Sequence, residues 1–228
     1  MERVDESILA GISDFDSATI YNAIEKVQGI SNEDYTGPEM EYLSPEFGVV
    51  VGYAVTSEVT PLDPTPSDIG WDQYYDLIHD TPGPKVAVMK DVDVRPNRGA
   101  IFGDGMARIH KALGVKGAVV DGCIRDLGGI IEAGLPIWGL GTVSGHGPFF
   151  VRRMAEPVVI GQICISHGDL LFADQDGVVN IPKDIAGDVL RVAGEIRTWE
   201  RSYFDMVEAP DFTYEKYKIW VSKNKKNK

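Results

Sequence analysis

The sequence has few cysteines and lacks the segments that would place it in or across a membrane. Its two cysteines, Cys123 and Cys164, stand far apart, and neither belongs to a Cys-x-x-Cys pair, which excludes a disulfide framework. Uninterrupted apolar runs of the ~18 residues that span a bilayer are missing. The N-terminus also has no basic segment followed by an apolar one, as a secretory signal would. These absences predict a soluble protein of the reducing cytoplasm, with no membrane partner.

Basic charge is also scarce. The chain has 22 lysines and arginines against 35 aspartates and glutamates, so its formal net charge is −13. Four of the lysines lie in the last seven residues, which makes the rest of the chain more acidic still. Such a surface repels phosphate backbones, so we expect no nucleic-acid partner. The 43% hydrophobic content is that of a globular protein rather than a disordered one.

Strand and helix patterns alternate through the middle of the chain, and strand patterns cluster in its last third. The predicted helices cover residues 17–28, 69–78, 104–113, 126–133 and 183–204, and the predicted strands cover 47–59, 85–92, 117–121, 135–140, 158–165 and 170–172. An Asp-Gly pair at 176–177 predicts a hairpin turn, and the lysine-rich residues from Ser222 predict a frayed tail. The order of elements is typical of a single α/β domain with some parallel strands and some hairpins.

Residues 102–138 combine this pattern with the side chains best suited to chemistry. Asp104 stands where one predicted helix begins, and Arg125 and Asp126 stand where the next begins after a strand. Ligands of α/β sheets gather beyond the carboxyl ends of strands, and helix N-termini there offer free N–H groups to anions. The two aspartates have two interpretations. They are either helix N-caps, or carboxylates for a divalent cation beside an arginine that binds an oxo acid.

The same residues resemble the RraA-like family, which includes class II 4-hydroxy-4-methyl-2-oxoglutarate aldolases and a regulator of ribonuclease E activity. Twenty residues separate Asp104 from Arg125, as in the aldolase members. The segments that match the family pattern are Gly103-Asp104, Arg125-Asp126, Gly128-Gly129, GLPIW at 134–138, GVVVGYAVT at 48–56 and GDLLFADQDGVVNIP at 168–182. The resemblance covers about residues 14–205.

The resemblance implies a fold, an assembly and a reaction. The fold would be a three-layer β/β/α sandwich of the swivelling-domain type. One domain would span residues 1–208, a C-terminal extension would span 209–228, and the assembly would be a homotrimer or a dimer of trimers. The reaction would be the cleavage of a 4-hydroxy-2-oxo acid to pyruvate and a second carbonyl product, with Mg²⁺ or Mn²⁺ as cofactor. Decarboxylation of oxaloacetate would be a side activity, because both reactions pass through a pyruvate enolate that a divalent cation stabilises.

The resemblance also implies roles for individual residues. Asp126 would ligate the cation directly, and Asp104 would hold a water molecule on it. Arg125 would contact the 2-oxo oxygen and the enolate charge that develops there. The turn at Gly103 would place the backbone N–H groups of Gly105 and Met106 on the substrate carboxylate.

One further acidic residue would come from the C-terminal helix of a neighbouring subunit. Glu200 is the nearest match in this sequence, and Glu195 is its competitor. Both also fit the alternative of a solvated helix glutamate. No lysine has a context that favours a Schiff base, although Lys111 and Lys116 stay open on sequence alone.

The sequence also allows other functions and other roles for single residues. A non-catalytic regulator that binds an RNA-degrading enzyme is the main alternative, and the acidic residue at Asp104 favours the aldolase over it. A methyltransferase is disfavoured because no strand leads into a glycine-rich loop with an acidic ribose partner. His146 is either a loop histidine without a role or part of the substrate rim, and Cys123 is predicted to be a buried thiol at a strand end.

Overall fold

The structure is a computed structural model that describes residues 3–224. Its helices are α1 (Glu6–Ile12), α2 (Ser17–Gln28), α3 (Trp71–Asp80), α4 (Asp104–Ala112), α5 (Leu127–Ala133), α6 (Ala186–Val207) and α7 (Tyr214–Asn224). Its strands are β1 (Glu41–Tyr42), β2 (Val50–Thr60), β3 (Lys85–Asp91), β4 (Ala100–Phe102), β5 (Val115–Asp121), β6 (Cys123–Ile124), β7 (Ile137–Gly139), β8 (Phe150–Met154), β9 (Val158–Ile160), β10 (Ile163–Ile165), β11 (Leu170–Asp174) and β12 (Gly177–Ile181).

Local sequence signals fix several of these elements. The Asp16 carboxylate caps α2 by accepting from the Thr19 backbone N–H at 2.8 Å, and Gly29 ends the helix in the left-handed region at φ 72°. An N-cap of this kind typically stabilises a helix by about 1 kcal/mol. Asp174 pairs with Gly177 at the end of the β11–β12 hairpin, so the predicted hairpin turn is confirmed.

The main sheet has eight strands in the order β1-β7-β5-β3-β2-β11-β12, with β8 paired to β2 beside this path. The inner strands β2, β3, β5 and β7 run parallel, β11 pairs antiparallel with β2, and β12 pairs antiparallel with β11. Two small sheets accompany the main one: the β9–β10 hairpin and the parallel pair β4–β6. The parallel strands therefore put their carboxyl ends at one edge of the main sheet.

The alternation of side chains along each strand sorts the core into layers. On one face of the main sheet, Ala54, Val86 and Val88 pack with Val158 and Ile160 of the β9–β10 hairpin. On the other face, neighbouring residues of the same strands pack against helices α1 to α6. The layers are thus a small sheet, the main sheet and the helices, so the prediction of a single α/β domain with a β/β/α sandwich is confirmed.

The C-terminal part of the chain adds an aromatic contact that the sequence analysis did not predict. Trp220 of α7 lies 5.4 Å from Trp199 and 5.4 Å from Tyr203 of α6, measured between ring centroids. The predicted frayed tail begins inside this helix, because Ser222 lies in the last turn of α7. The remainder of that tail, 225–228, lies outside the described residues. None of the helices within 3–224 has both the length and the apolar character for crossing a membrane.

Candidate active site at two helix N-termini

Two short parallel strands bring the predicted site residues together. In the β4–β6 pair, Ala100 is opposite Cys123 and Phe102 is opposite Ile124. The Arg125 N–H donates to the Phe102 carbonyl at 2.9 Å. Strand β4 leads into α4 and β6 leads into α5, so the N-termini of both helices lie side by side at the carboxyl ends of the strands. This is the position at which α/β proteins bind anions and oxo acids.

Asp126 occupies the N-cap position of α5 but does not cap the helix. Its backbone is in the left-handed region, with φ 57° and ψ 37°, and its side chain makes no capping hydrogen bond. A non-glycine residue in this region costs roughly 1–2 kcal/mol, less for aspartate than for most residues. Its Oδ2 lies 3.2 Å from Arg125 Nε. The N-cap interpretation is therefore wrong for Asp126, and the strained backbone presents its carboxylate beside the guanidinium.

Asp104 is not a cap either. It is the first residue of α4, whose N-cap is Gly103. The helix packs so closely against α5 that a Cβ atom on Gly129 would lie 2.7 Å from the Asp104 Cβ. Because Gly129 has no side chain, the Asp104 carboxylate can sit against the first turn of α5. Gly129 is thus part of the site, a role that the sequence signalled only through its match to the family pattern.

These side chains line one cavity of about 200 Å³. The lining residues are Ala100, Phe102, Gly103, Asp104, Gly105, Met106, Arg125, Asp126, His146 and Phe149. All the predicted site residues except Glu200 and its competitor are therefore brought together in one chain. The volume lies below the 300–1,000 Å³ of pockets for drug-sized ligands, so the cavity suits a small organic acid.

The cavity combines opposite charges with free backbone donors. The Arg125 side chain is 39% exposed and that of Asp126 is 49% exposed, so both groups reach solvent from the cavity wall. The first helical hydrogen bond of α4 runs from the Ala107 N–H to the Gly103 carbonyl. The N–H groups of Gly105 and Met106 precede it and have no acceptor within the helix. The site can therefore bind an anion at these N–H groups and at Arg125, and a cation at the carboxylates.

The donor set fits one kind of metal ion. Within residues 3–224, no group of three or more His, Cys, Asp or Glu side chains could hold a metal ion. The cavity presents two carboxylates, from Asp104 and Asp126. Zinc sites in proteins need three or four protein ligands, whereas Mg²⁺ is commonly held by one or two carboxylates and keeps several waters or substrate oxygens. The pair of aspartates therefore fits a hard divalent cation.

His146 and Phe149 close the cavity from the loop before β8. The exposed His146 ring lies 5.5 Å from the Phe149 ring, and Phe149 stacks on Trp71 of α3 at 4.6 Å. His146 also lines a second cavity next to this one. Of the two interpretations of His146, the structure places it at the rim. No sequence signal identified Phe149 as its neighbour.

Glu200 and Glu195 lie elsewhere in the same chain. Both line a groove of about 650 Å³ between α2 and α6, together with Glu25 and Lys26. Glu195 is also paired with Arg191 at 2.7 Å. Neither glutamate therefore lines the cavity of Arg125 and Asp126 in this chain. Lys111 and Lys116 line yet another cavity with Gly134 and Pro136, away from Asp104 and Arg125.

A buried histidine anchors the helix that carries Asp104. His110 is fully buried, and its Nδ1 lies 2.7 Å from the Met106 carbonyl. Since a carbonyl only accepts, Nδ1 carries the hydrogen, and Nε2 accepts from the Tyr74 hydroxyl at 2.9 Å. Burial lowers the pKa of His110 to about 4, against a weaker opposing effect of the Met106 carbonyl. The ring is therefore neutral in the folded protein at neutral pH.

We expect this histidine to destabilise the fold in mild acid. The folded pKa lies below the ordinary value of 6.5, so the stability is fully present above pH 6.5 and is lost as the pH falls from 6.5 towards 4. By linkage the loss reaches about 2 kcal/mol at pH 5. Urea unfolding at pH 7 and pH 5 measures it. His110→Gln, which does not titrate, should lose less over this interval, and His79→Gln should behave as the unmodified chain. An equal loss in all three proteins would contradict the assignment.

Comparison with known proteins identifies the family. The model of the RraA-like family, described as Aldolase/RraA, matches residues 17–180. A protein of Halalkalibacterium halodurans named "Putative 4-hydroxy-4-methyl-2-oxoglutarate aldolase" is 32% identical over 152 residues, which are 61% of this chain and 71% of the relative. An Arabidopsis thaliana protein with the same name and the number 3 is 34% identical over 88 residues, or 36% of this chain and 50% of its own.

The fold is also found among solved structures. Streptomyces coelicolor RraAS2, described as an unusual member of the RNase ES inhibitor RraA protein family, superposes with a TM-score of 0.71 at 26% identity. The match covers 89% of this chain and 98% of that one. The sequence match, which contains Asp104, Arg125 and Asp126, and the structural match agree with each other. The chain belongs to the RraA-like family.

Proposed function

We propose that the chain is a divalent-metal-dependent aldolase that cleaves a 4-hydroxy-2-oxo acid, such as 4-hydroxy-4-methyl-2-oxoglutarate, to pyruvate and a second carbonyl product. The observation that carries the proposal is the convergence of Arg125, Asp104 and Asp126 in one small cavity at two helix N-termini. Relatives at about 30% identity bear aldolase names, which supports a lyase.

The reaction breaks the C3–C4 bond of the substrate. The C4 hydroxyl gives its proton to a water molecule in the solvent-exposed cavity and becomes a carbonyl, and the bonding electrons move onto C3 and the 2-oxo group as an enolate. Protonation at C3 then gives pyruvate. Negative charge therefore grows on the 2-oxo oxygen, and a catalyst needs fixed positive groups at that atom.

Arg125 supplies one such group. Its guanidinium is at the cavity wall, and the nearby Asp126 carboxylate, 3.2 Å from Nε, restricts its orientation. A guanidinium held in place before the reaction needs no reorganisation when charge develops, and removing one donor of this kind typically costs roughly 3–4 kcal/mol in the transition state. The N–H groups of Gly105 and Met106 bind the substrate carboxylate at the start of α4. Gly103 lies next to both side chains, since a Cβ there would be in ordinary van der Waals contact with Arg125 Cγ and Asp126 Oδ2, at 3.4 Å from each.

Asp126 and Asp104 would hold the cation, Asp126 directly and Asp104 through a water molecule. A bound Mg²⁺ or Mn²⁺ would supply Lewis-acid stabilisation of the charge on the 2-oxo and carboxylate oxygens. A single chain offers two carboxylates, so further contacts come from water, substrate and a neighbouring subunit. We propose that Glu200, or Glu195 in its place, provides the neighbour's carboxylate in a homotrimer or a dimer of trimers.

Oxaloacetate should be decarboxylated at the same site. Loss of CO₂ from C4 leaves the same enolate on the same three carbons, so the groups that stabilise one transition state also stabilise the other. The carboxylate and 2-oxo group of oxaloacetate are those of the aldol substrate, and they would contact the same N–H groups and Arg125.

The test is the release of pyruvate by the purified protein. We expect pyruvate from 4-hydroxy-4-methyl-2-oxoglutarate and from oxaloacetate above its spontaneous rate, measured with lactate dehydrogenase and NADH. EDTA should abolish the release, and added Mg²⁺ or Mn²⁺ should restore it. Without the cation, the negative charge of the enolate lies beside two negative aspartates and lacks the positive charge that stabilises it. Release that persists in EDTA would contradict metal dependence.

A non-catalytic regulator of ribonuclease activity is the second candidate. The likeness to RraAS2, which is described as an unusual member of the RNase ES inhibitor RraA protein family, favours it. The same assay separates the two functions, because a regulator would release no pyruvate from any 4-hydroxy-2-oxo acid or from oxaloacetate.

A further inference from the structure

A second, larger cavity adjoins the proposed active site. It has a volume of about 560 Å³, and His146 lines both cavities. Its other lining residues are Leu62, Arg95, Arg98, Val143, Ser144 and Gly145. The two cavities therefore meet at His146, and the lining of the second one carries two arginines and no acidic side chain.

Arg95 and Arg98 are free of the ion pairs that hold other arginines of this protein. Both are exposed, and no carboxylate within the described residues 3–224 lies within 4.0 Å of either guanidinium. The neighbouring Arg152, by contrast, is paired with Asp63 at 3.0 Å. In a chain with a net charge of −13, two adjacent arginines without a carboxylate make a local positive site.

The loop that carries the two arginines is held by its own acidic residues. Asp93 Oδ2 accepts from the backbone N–H groups of Leu62 and Asp63 at 3.0 and 2.9 Å, and its Oδ1 accepts from the Arg95 N–H at 3.1 Å. Asp91 Oδ2 accepts from the Asn97 N–H at 2.8 Å. These buried carboxylates are occupied by backbone donors, so they fix the loop and leave the guanidinium groups available.

The opposite wall of the second cavity is also tied in place. The Ala100 N–H at the start of β4 donates to the Gly145 carbonyl at 2.9 Å, and the Gly147 N–H donates to the Pro61 carbonyl at 2.7 Å. The arginine loop, the His146 loop and the strand leading to Asp104 therefore form one connected frame. A frame fixed before binding lowers the entropic cost of ordering the site.

We infer that Arg95 and Arg98 bind a second carboxylate at the far end of the 2-oxo acid, and so select dicarboxylate substrates over those with a neutral tail. Arginine matches the planar geometry of a carboxylate and binds it through two parallel hydrogen bonds. The inference rests on the proposed function, because it places the 2-oxo end of the same ligand at Arg125. Both arginines act in binding the tail and lie apart from the bond that breaks.

Binding of two unreactive acids tests the inference without turnover. 2-Oxoglutarate and 2-oxopentanoate have five carbons each and differ only at the far end, where one has a carboxylate and the other a methyl group. We expect calorimetric titration in Mg²⁺ to give an affinity at least about 10-fold higher for 2-oxoglutarate. The double variant R95Q/R98Q should bind 2-oxoglutarate as weakly as 2-oxopentanoate, with its affinity for 2-oxopentanoate unchanged.

A matched control separates this contact from the loss of overall charge. Arg153→Gln removes an arginine that is 69% exposed and lies 3.5 Å from Glu58, and it should leave the preference for 2-oxoglutarate intact. Equal affinity of the unmodified protein for the two acids, or an equal loss of both in R95Q/R98Q, would overturn the inference. No binding of either acid would overturn the proposed function as well, whereas a selective loss together with absent pyruvate release would overturn the proposed function alone.

Discussion

Arg125→Ala is expected to lower kcat for pyruvate release by about 10²–10³, the effect of removing one donor that faces a developing oxyanion. The fold should be unaffected, because the side chain is 39% exposed and its ion pair with Asp126 is also partly solvated, and exposed pairs contribute at most about 1 kcal/mol to stability. Activity and melting temperature measured on the same preparation give the two values.

Two further variants sharpen the Arg125 experiment. Arg125→Lys keeps the charge but loses the planar guanidinium, so it should recover part of the rate and not all of it. Arg153→Ala removes an exposed arginine paired with Glu58 and should retain full activity. A kcat for Arg125→Ala equal to that of the unmodified protein would show that this residue does not stabilise the enolate.

The second large effect is expected at Asp126. Asp126→Asn removes the charge that would hold the cation and keeps nearly the same shape, so the EDTA-sensitive pyruvate release should fall below detection. Asparagine adopts the left-handed conformation about as readily as aspartate, and the carboxylate makes no capping bond. The free energy of unfolding should therefore change by less than about 1 kcal/mol.

Asp126→Gly separates the backbone of this position from its side chain. Glycine adopts the observed φ of 57° without steric cost, so this variant should fold while lacking the carboxylate. Both variants should also lose the rise in melting temperature that Mg²⁺ with pyruvate gives the unmodified protein, since a ligand stabilises the state that binds it. EDTA-sensitive activity in Asp126→Asn would contradict the assignment of the cation to this residue.

Much of the fold follows from signals that are local in sequence. The Asp16 cap and Gly29 fix α2 at Ser17–Gln28, as predicted. The predicted strand at 47–59 begins later, at Val50, because Pro45–Phe47 forms a short 3-10 turn and Gly48 follows it at φ 70°. Residue composition alone does not reveal such a turn, because Phe47 and Gly48 resemble in type the aromatic and glycine residues of the strand that follows.

The site was predictable in its members and less so in its geometry. A strand leading into a helix at Asp104 and again at Arg125 implied that both stand at helix N-termini, and the structure places them in one cavity. The left-handed backbone of Asp126 directly follows the pairing of β4 with β6, which joins residues more than twenty positions apart. The loop of Arg95 and Arg98 is held through Asp93, which accepts from the backbone N–H groups of Leu62 and Asp63 about thirty positions earlier, and short-range patterns carry no information about such contacts.

Gly129 has one more consequence. Its position faces Asp104 so closely that there is space for a hydrogen atom and not for a methyl group. The position of the Asp104 carboxylate on α4 therefore requires that residue 129 on α5 has no side chain. Neither residue belongs to the hydrophobic core. A single added carbon at this position would force α4 and α5 to shift and would move the Asp104 carboxylate that the proposed reaction requires.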